Sequence, residues 1–318
     1  MQKYCFDSKD LTLYLIYVDF MNNLVRLKSL VLPIAILLGL LLHKWCAYAQ
    51  FLIPYFIFTI LLMSYSAVDV SKLKPSRMDL WLVLFQIIFS VGPYLLLKWL
   101  GVHEIIAQGV LITVLCPVAA SSVVIACMLG AGRERVTTYT IIGNLMVSIV
   151  APIIFSLIGA HQDMGFINAF LLIFRKIFLV IALPFILAIA GQRWTPRVNS
   201  FICRIKEMSF YLWALTLTIT LGQTFHYIFL HGRENALSII ILGSASVAIC
   251  IIQFATGKKI GEMYGDRMAG GQLLGQKNAA MGVWMANTFL LPLASFGIAL
   301  YSIWQNLFNS WQMLKHKP

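Results

Sequence analysis

Long apolar stretches separated by short polar segments run along almost the whole chain. A helix needs about 20 mostly apolar residues to cross a bilayer, and ten stretches approach that length: 26–43, 51–68, 79–98, 104–129, 135–159, 166–190, 207–229, 236–256, 267–289 and 291–312. They lack the polar–apolar alternation of membrane-barrel strands, and lipid offers no partner for the backbone groups of an open strand. The pattern therefore predicts an all-α membrane protein with ten transmembrane helices.

Two of the ten spans contain an interruption. The fourth is interrupted at 116–122 by CPVAASS, and the ninth at 275–280 by GQKNAA. Ten spans divide into a 5+5 inverted repeat, in which each set of five has its interruption in its fourth span. Broken helices at matched positions are typical of the substrate site of a secondary transporter, because their ends turn backbone dipoles toward a cavity. The alternative is a proline kink in one helix and ordinary packing of small residues in the other.

The predicted organisation follows from this division. Residues 1–25 form a cytoplasmic lead-in, 26–160 form the first repeat with helices one to five, and 166–314 form the second repeat with helices six to ten. The chain is 60% hydrophobic and only 11% charged, whereas about a quarter of the residues of a soluble protein are charged. The lipid bilayer is therefore its expected surrounding.

The net charge of +12 indicates membrane topology and not nucleic-acid binding. With ten spans, most basic residues fall on one side of the membrane, and the opposite side has only Lys44, Lys98 and Arg233. The positive-inside rule then predicts a multi-pass protein of the inner (plasma) membrane with both termini in the cytoplasm. The six cysteines have neither a CxxC pair nor the spacing of metal ligands, so neither a metal nor a disulfide is implied.

Three cations fall at membrane depth, namely Arg175, Lys176 and Lys277, whereas the acidic residues lie in loops or at span ends. A charged side chain in the middle of a bilayer costs at least about 2.5–3.5 kcal/mol and usually faces a functional cavity. Lys277 lies inside the second interruption, where a helix C-terminus, water or a bound anion could be its partner. For Arg175 and Lys176 the alternative is that one extends to the membrane surface along its apolar stem. The predicted substrate contacts are Lys277, Asn278, Ala119, Ala120 and Arg175.

Neutral polar side chains lie near the same places. Six of them are candidate ligands for Na⁺ alongside backbone carbonyls: Gln86, Ser122, Thr140, Asn144, Gln272 and Gln276. Gln272 and Gln276 are four residues apart, as are Thr140 and Asn144, so each pair shares one helix face wherever the backbone stays helical. The alternative role for each is hydrogen bonding between helices.

Taken together, the interruptions CPVAASS and GQKN resemble the bile acid:sodium symporter family, and the resemblance extends over about residues 26–314. The loop at 69–75 and the closing segment WQNLFNSW at 304–311 are similar to a bacterial branch of that family. The resemblance implies a panel domain from helices one, two, six and seven and a core domain from helices three to five and eight to ten. It also implies that helices four and nine cross at two sodium sites, beside which an organic anion binds.

At the sodium sites the sequence departs from the family pattern. Most of the candidate ligands match ligand positions of the family, but Val123 stands where the family has an asparagine and Gln272 where it has a glutamate. The predicted function is alternating-access transport of a small organic anion, either a carboxylate or a bile-acid-like molecule, with Na⁺ coupling through an altered site. The alternative is a carrier that is independent of Na⁺ or coupled to H⁺, in which the Lys277 ammonium replaces a sodium ion. Burial disfavours a charged lysine, so a proton could be exchanged there.

Other classes of function are less well supported by the sequence. A channel, or a ligand sensor derived from a transporter, stays open as an alternative. A membrane-embedded enzyme would need a nucleophile, a metal cluster or an acid–base pair at depth, and the lack of intramembrane carboxylates and clustered histidines argues against it. We expect no cofactor other than Na⁺, and the oligomeric state stays open.

Overall fold

The computed structural model describes residues 33–159 and 164–315. Within these two ranges the regular structure is helical, apart from one isolated β-bridge between Val118 and Lys277. Five helical segments are long and apolar enough to cross a membrane: His43–Ser66, Arg77–Trp99, Arg133–Ile158, Phe166–Trp194 and Ala236–Met263. The predicted all-helical structure is thus confirmed for this part of the chain, and its apolar helices are compatible with a membrane protein. The predicted lead-in at 1–25 lies outside the described residues.

The helices are numbered along the chain, after a helical stretch at 33–41. They are α1 (His43–Ala49), α2 (Ile53–Ser66), α3 (Arg77–Trp99), α4 (Glu104–Leu115), α5 (Ser122–Met128), α6 (Arg133–Ile158), α7 (Phe166–Trp194), α8 (Pro196–Arg204), α9 (Met208–His231), α10 (Ala236–Met263), α11 (Arg267–Gly275), α12 (Ala279–Phe289) and α13 (Ser295–Lys315).

The structure corrects the predicted bounds of the first two spans. Residues 44–50, expected to connect them, are helical, and a 3-10 turn at Gln50–Leu52 leads directly from α1 into α2. The segment HKWCAYA contains neither glycine nor proline. Pro54 lies in the first turn of α2, where a proline removes no helical hydrogen bond. The polar residues of this segment are therefore not enough to end the helix.

The short helix α8 lies in the predicted connection between spans six and seven, where the hydropathy pattern indicates no helix. Proline at its first position is already in a helical conformation. The side chains of Asn199 and Cys203 each donate to the carbonyl of Ser66 at 3.3 Å. That carbonyl belongs to the last turn of α2, where carbonyls have no partner within the helix. Helix α8 thus holds the end of α2.

The two predicted interruptions are confirmed as breaks in helical structure, the first between α4 and α5 and the second between α11 and α12. Helix α11 packs backbone to backbone against α10. A Cβ atom at Gly270 would lie 2.7 Å from Cα of Gly261 and would also clash with the carbonyl oxygen of Gly257. Glycine at these positions lets the two helices approach closely, and this contact positions the second interruption.

The outer faces of the helices carry many exposed apolar side chains, for example Leu41, Trp45, Ile88 and Leu237. A soluble monomer rarely exposes apolar patches of such extent, and lipid would cover them. Buried polar side chains, by contrast, gather around the two interruptions. Gln86, Asn144, Gln272, Gln276 and Gln305 are each at most 4% exposed. The polar interior of the protein therefore surrounds the two interruptions.

Candidate functional site

The two interruptions lie side by side and are joined by backbone hydrogen bonds. The amide of Ala119 donates to the carbonyl of Gln276 at 3.1 Å, and the amide of Asn278 donates to the carbonyl of Pro117 at 2.8 Å. These bonds flank the antiparallel bridge between Val118 and Lys277. Residues about 160 positions apart in sequence thus form one small two-stranded link between four half-helices.

The end of α4, at the first interruption, is held by a glutamine and a tyrosine from two neighbouring helices. Nε2 of Gln86 in α3 donates to the carbonyls of Leu115 and Cys116 at 3.0 and 3.1 Å. The hydroxyl of Tyr139 in α6 donates to Oε1 of Gln86 at 3.3 Å. The last carbonyls of a helix lack intrahelical partners, and leaving them unpaired in an apolar interior is costly. The Gln86–Tyr139 pair therefore stabilises the broken end.

A glutamine and a tyrosine also hold the end of α11, at the second interruption. The hydroxyl of Tyr301 in α13 donates to the carbonyl of Gly275 at 2.7 Å, and Nε2 of Gln253 in α10 donates to that hydroxyl at 3.3 Å. In both cases the glutamine comes from the helix before the interrupted pair, and the tyrosine from the helix after it. In two separate parts of the chain, a glutamine and a tyrosine thus provide hydrogen bonds to the last carbonyls of a broken helix.

The middle of each interruption is held by a side-chain amide. Oδ1 of Asn144 in α6 accepts from the amide of Val118 at 3.0 Å. Gln305 in α13 bonds Lys277 twice, accepting from its amide at 2.7 Å and donating to its carbonyl at 3.0 Å. Since Val118 and Lys277 are the two bridge residues, each strand of the link is fixed from outside by the helix that follows it.

The side chain of Lys277 has no such support. It is 1% exposed, and its Nζ has no hydrogen-bond partner among the residues that the structure describes. The ion pairs in these ranges lie elsewhere, at Lys72–Asp69, Lys98–Glu104 and Arg267–Glu262. A buried charge without a partner is costly. The amides of Val118, Ala119, Lys277 and Asn278 thus have hydrogen-bond partners, whereas the Lys277 Nζ has neither a hydrogen bond nor a counter-charge in the described ranges.

Asn278 and Cys116 lie directly beside Lys277 in the link. Asn278 caps α12, since its Oδ1 accepts from the amide of Met281 at 3.2 Å. The thiol of Cys116 donates to the carbonyl of Asn278 at 3.0 Å. Helix α12 thus begins two residues after Lys277, and the positive end of its dipole favours an anion at its N-terminus.

The predicted sodium ligands fall around the same link, but the protein itself uses most of their oxygens. Oxygens of Gln86 and Asn144 accept from Tyr139 and Val118, as described above. The hydroxyls of Ser122 and Thr140 are 3.3 Å apart and bond each other. Each of these four side chains thus already has at least one hydrogen bond within the protein.

Gln272 and Gln276 are joined through Asn309 of α13. Nε2 of Gln272 donates to Oδ1 of Asn309 at 2.8 Å, and Nδ2 of Asn309 donates to Oε1 of Gln276. Nε2 of Gln276 reaches the Ser121 hydroxyl at 3.4 Å. Oε1 of Gln272 is buried and has no protein donor in the described ranges. The Asn309 amide therefore already donates to Oε1 of Gln276, whereas Oε1 of Gln272 accepts no hydrogen bond from these residues.

The remaining predicted contacts divide into two groups. Ala119 and Ala120 belong to the link, and Ala119 is buried there. Arg175 and Lys176 are both exposed on α7, and Nζ of Lys176 lies 5.9 Å from the ring centroid of Phe289. Arg175 has no contact with the link among those of the described residues, so the structure does not bring it to the Lys277 site.

Several residues of the site are not among the sequence-predicted candidates: Tyr139, Gln253, Tyr301, Gln305 and Asn309. A signal for some of them is present in the sequence. A glutamine in the span before each interruption and a tyrosine in the span after it recur in both halves. This recurrence indicates matched positions in the two halves, although it does not show which residues are bonded to each other.

No protein-family model matches this sequence, and a comparison with curated proteins finds no match either. What the site can do consequently follows from its own residues. They form a hydrogen-bonded backbone link, a buried lysine whose Nζ has no partner in the described ranges, and a helix that begins two residues after that lysine.

Proposed function

We propose that this protein is a secondary transporter that carries a small organic anion across a membrane by alternating access. One observation carries the proposal. The Lys277 ammonium is buried where two interrupted helices are joined, and it has no protein partner in the described ranges. An intramembrane cation of this kind marks a functional site by default. An anion that binds at one stage of a cycle and leaves at another would supply the missing counter-charge.

The proposed architecture has ten spans in a 5+5 inverted repeat, with the broken spans four and nine crossing at the link. The matched Gln86–Tyr139 and Gln253–Tyr301 pairs support it, because a repeated fold places equivalent residues at equivalent helix ends. We further propose that the carrier is of the bile acid:sodium symporter type. The distribution of basic residues supports a place in the plasma membrane with both termini in the cytoplasm.

The contact between Asn144 and Tyr65 bears on how such a carrier would move. Nδ2 of Asn144 in α6 donates to the hydroxyl of Tyr65 in α2 at 3.0 Å. In a panel-and-core arrangement, α2, which corresponds to predicted span two, belongs to the panel. Helix α6, which corresponds to predicted span five, belongs to the core. The same asparagine holds Val118 through its oxygen. Movement of the core against the panel would therefore break a bond at the residue that positions the link.

The hydrogen bonding favours a carrier that does not need Na⁺. Two of the predicted ligand oxygens already accept hydrogen bonds, since Asn309 donates to Gln276 and Val118 donates to Asn144, and among the described residues the site has no carboxylate that would favour a cation. The ammonium would provide the positive potential that bound sodium would otherwise provide. Coupling to H⁺ through Lys277 is the corresponding proposal for the driving force.

One fixed cation also bears on the substrate class. At about 4 Å and an effective dielectric constant near 20, a single pair of unit charges attracts by roughly 4 kcal/mol. The second charge of a dianion would find no further unpartnered cation at the link within the described ranges. We therefore propose monoanions, and monocarboxylates first among them, as the substrates.

The test is uptake into proteoliposomes that contain the purified protein. A set of labelled monocarboxylates and dicarboxylates is offered with a Na⁺ gradient, with a pH gradient and with neither. We expect saturable uptake of a monocarboxylate that does not change when Na⁺ is replaced by K⁺. Uptake that requires Na⁺ would overturn the coupling proposal, and the absence of uptake of any organic anion would overturn the transport proposal.

A counterflow measurement separates a carrier from a channel or a sensor. Liposomes preloaded with unlabelled substrate should transiently accumulate labelled substrate if one site alternates between the two sides. A channel would only equilibrate the label, and a sensor would bind the substrate without moving it. Either of these results would contradict alternating access.

A further inference from the structure

A cavity lies at the beginning of α11, at the opposite end of that helix from Lys277. Its volume is about 310 Å³, and it is lined by Lys258, Arg267, Met268, Trp311, Gln312 and Lys315. These residues come from the end of α10, the start of α11 and the end of α13. The positive-inside rule assigns this end of the molecule to the cytoplasmic face.

The lining of this cavity carries three cations and no carboxylate. Arg267 approaches Glu262, with Nε 4.0 Å from Oε2, but both side chains are more than 60% exposed. An exposed pair at that distance contributes little. The nearby carboxylate of Asp266 is already used, since its oxygens accept from the amides of Ala269 and Gly132. The cavity therefore has an excess of positive charge.

Aromatic rings hold two of these cations in place. Nζ of Lys258 lies 5.1 Å from the ring centroid of Phe308, and Nζ of Lys315 lies 4.4 Å from that of Trp311. The stem of Lys258 also packs over Gly271, where a Cβ atom would lie 2.7 Å from its Cγ. Such contacts reduce the conformational entropy that a lysine loses when it binds an anion.

The surroundings of the cavity point to a ligand with an apolar part. Trp311 and Met268 form its apolar wall, and the neighbouring Leu307 and Leu314 are exposed on the same helix. Tryptophan at the end of a span typically lies at the level of lipid headgroups. Basic pockets between the cytoplasmic ends of membrane helices suit anionic headgroups. We propose that this cavity binds the phosphate group of an anionic lipid, whose acyl chains lie along the apolar outer face of α13.

The test measures lipid binding to the full-length protein purified in a neutral detergent. Native mass spectrometry counts the bound lipid as phosphatidylglycerol, which is anionic, or phosphatidylcholine, which is zwitterionic, is added. We expect preferential retention of phosphatidylglycerol. The double variant R267Q/K315Q should bind it about 25-fold more weakly, since each cation near a membrane surface contributes about 5-fold.

The matched control is K72Q/K74Q, which removes the same charge from exposed lysines on the same predicted face but outside the cavity. This control should keep wild-type binding. Equal losses in both double variants, or no loss in R267Q/K315Q, would overturn the assignment of the site. Inorganic phosphate could instead displace the lipid at the concentration at which phosphate alone binds. That result would overturn the lipid proposal and would identify the ligand as a soluble phosphate. None of these outcomes depends on Lys277 or on transport.

Discussion

Replacing Lys277 by glutamine separates two effects of its ammonium, the attraction of an anion and the cost of burying a charge. The substitution keeps a side chain of similar length. It leaves in place the backbone bonds of residue 277 to Gln305 and the neighbouring Ala119–Gln276 and Asn278–Pro117 bonds. It removes the one unpartnered cation at the link within the described ranges. Binding and stability should therefore respond in opposite directions.

The magnitude of each effect can be worked out from the site. Loss of an ion contact at about 4 Å and an effective dielectric constant near 20 costs roughly 4 kcal/mol, or about a thousandfold in affinity. Burial of a charge at membrane depth costs at least about 2.5–3.5 kcal/mol. The Lys277→Gln protein should thus bind its substrate up to about a thousandfold more weakly, and it should be at least as stable as the wild type without ligand.

The assay combines uptake into proteoliposomes with thermal unfolding of the same preparations. Lys176→Gln is the matched control, because it removes a lysine at an exposed position of α7, a helix long and apolar enough to cross a membrane. We expect loss of uptake at low substrate concentration in Lys277→Gln alone. Unfolding temperatures of all three proteins should remain close, with Lys277→Gln equal to the wild type or above it.

Two results would refute this reasoning. An unchanged half-saturating concentration in Lys277→Gln would mean that the ammonium does not face the substrate. A clear loss of thermal stability in that variant would mean that the lysine has a partner that holds the fold together. The second result would mean that Lys277 stabilises the fold and does not bind the substrate.

Two further predictions concern the supports of the link. Gly270→Ala should lower the unfolding temperature strongly, because its Cβ would meet Gly261 and Gly257 in α10, whereas Gly92→Ala, which meets nothing within 4 Å, should leave it unchanged or raise it; equal effects would contradict the close helix contact. Tyr301→Phe leaves the carbonyl of Gly275 without its 2.7 Å donor and should destabilise the protein by about 1–3 kcal/mol in reversible unfolding; an unchanged stability would show that the carbonyl finds another donor.

The interruptions could be predicted from the sequence because consecutive glutamine, lysine and asparagine residues are costly inside an apolar span, unless they line a polar site. The bounds of the first two spans could not. Helix α1 packs tightly against α9, where a Cβ atom at Gly222 would lie 2.5 Å from Cβ of Cys46. This contact joins residues that are far apart in sequence. A hydropathy average over neighbouring residues therefore cannot detect it.

The supports of the link were hidden for a similar reason. A single glutamine or tyrosine in a membrane span forms hydrogen bonds with whatever lies nearby, so neither residue alone identifies a partner. Gln86 and Tyr139 become a pair only when the fold brings α3 and α6 to the end of α4. Likewise, Asn309 completes the Gln272–Gln276 set from a helix more than thirty residues away. The chemistry of the site could be predicted in kind, but its hydrogen-bond partners required the structure.

The proposed transport and the stability of the fold would make opposite demands on Lys277. A carrier needs a charge that is unpaired in the empty site, whereas a folded membrane protein loses free energy for every such charge. The two strands of the link are held by neutral amides, Gln305 on one and Asn144 on the other, so that Lys277 is the one unpaired charge at the link in the described ranges. An anion that binds there would offset the free energy that burying this charge costs. A carboxylate in place of one of these amides would compete with that anion for the ammonium.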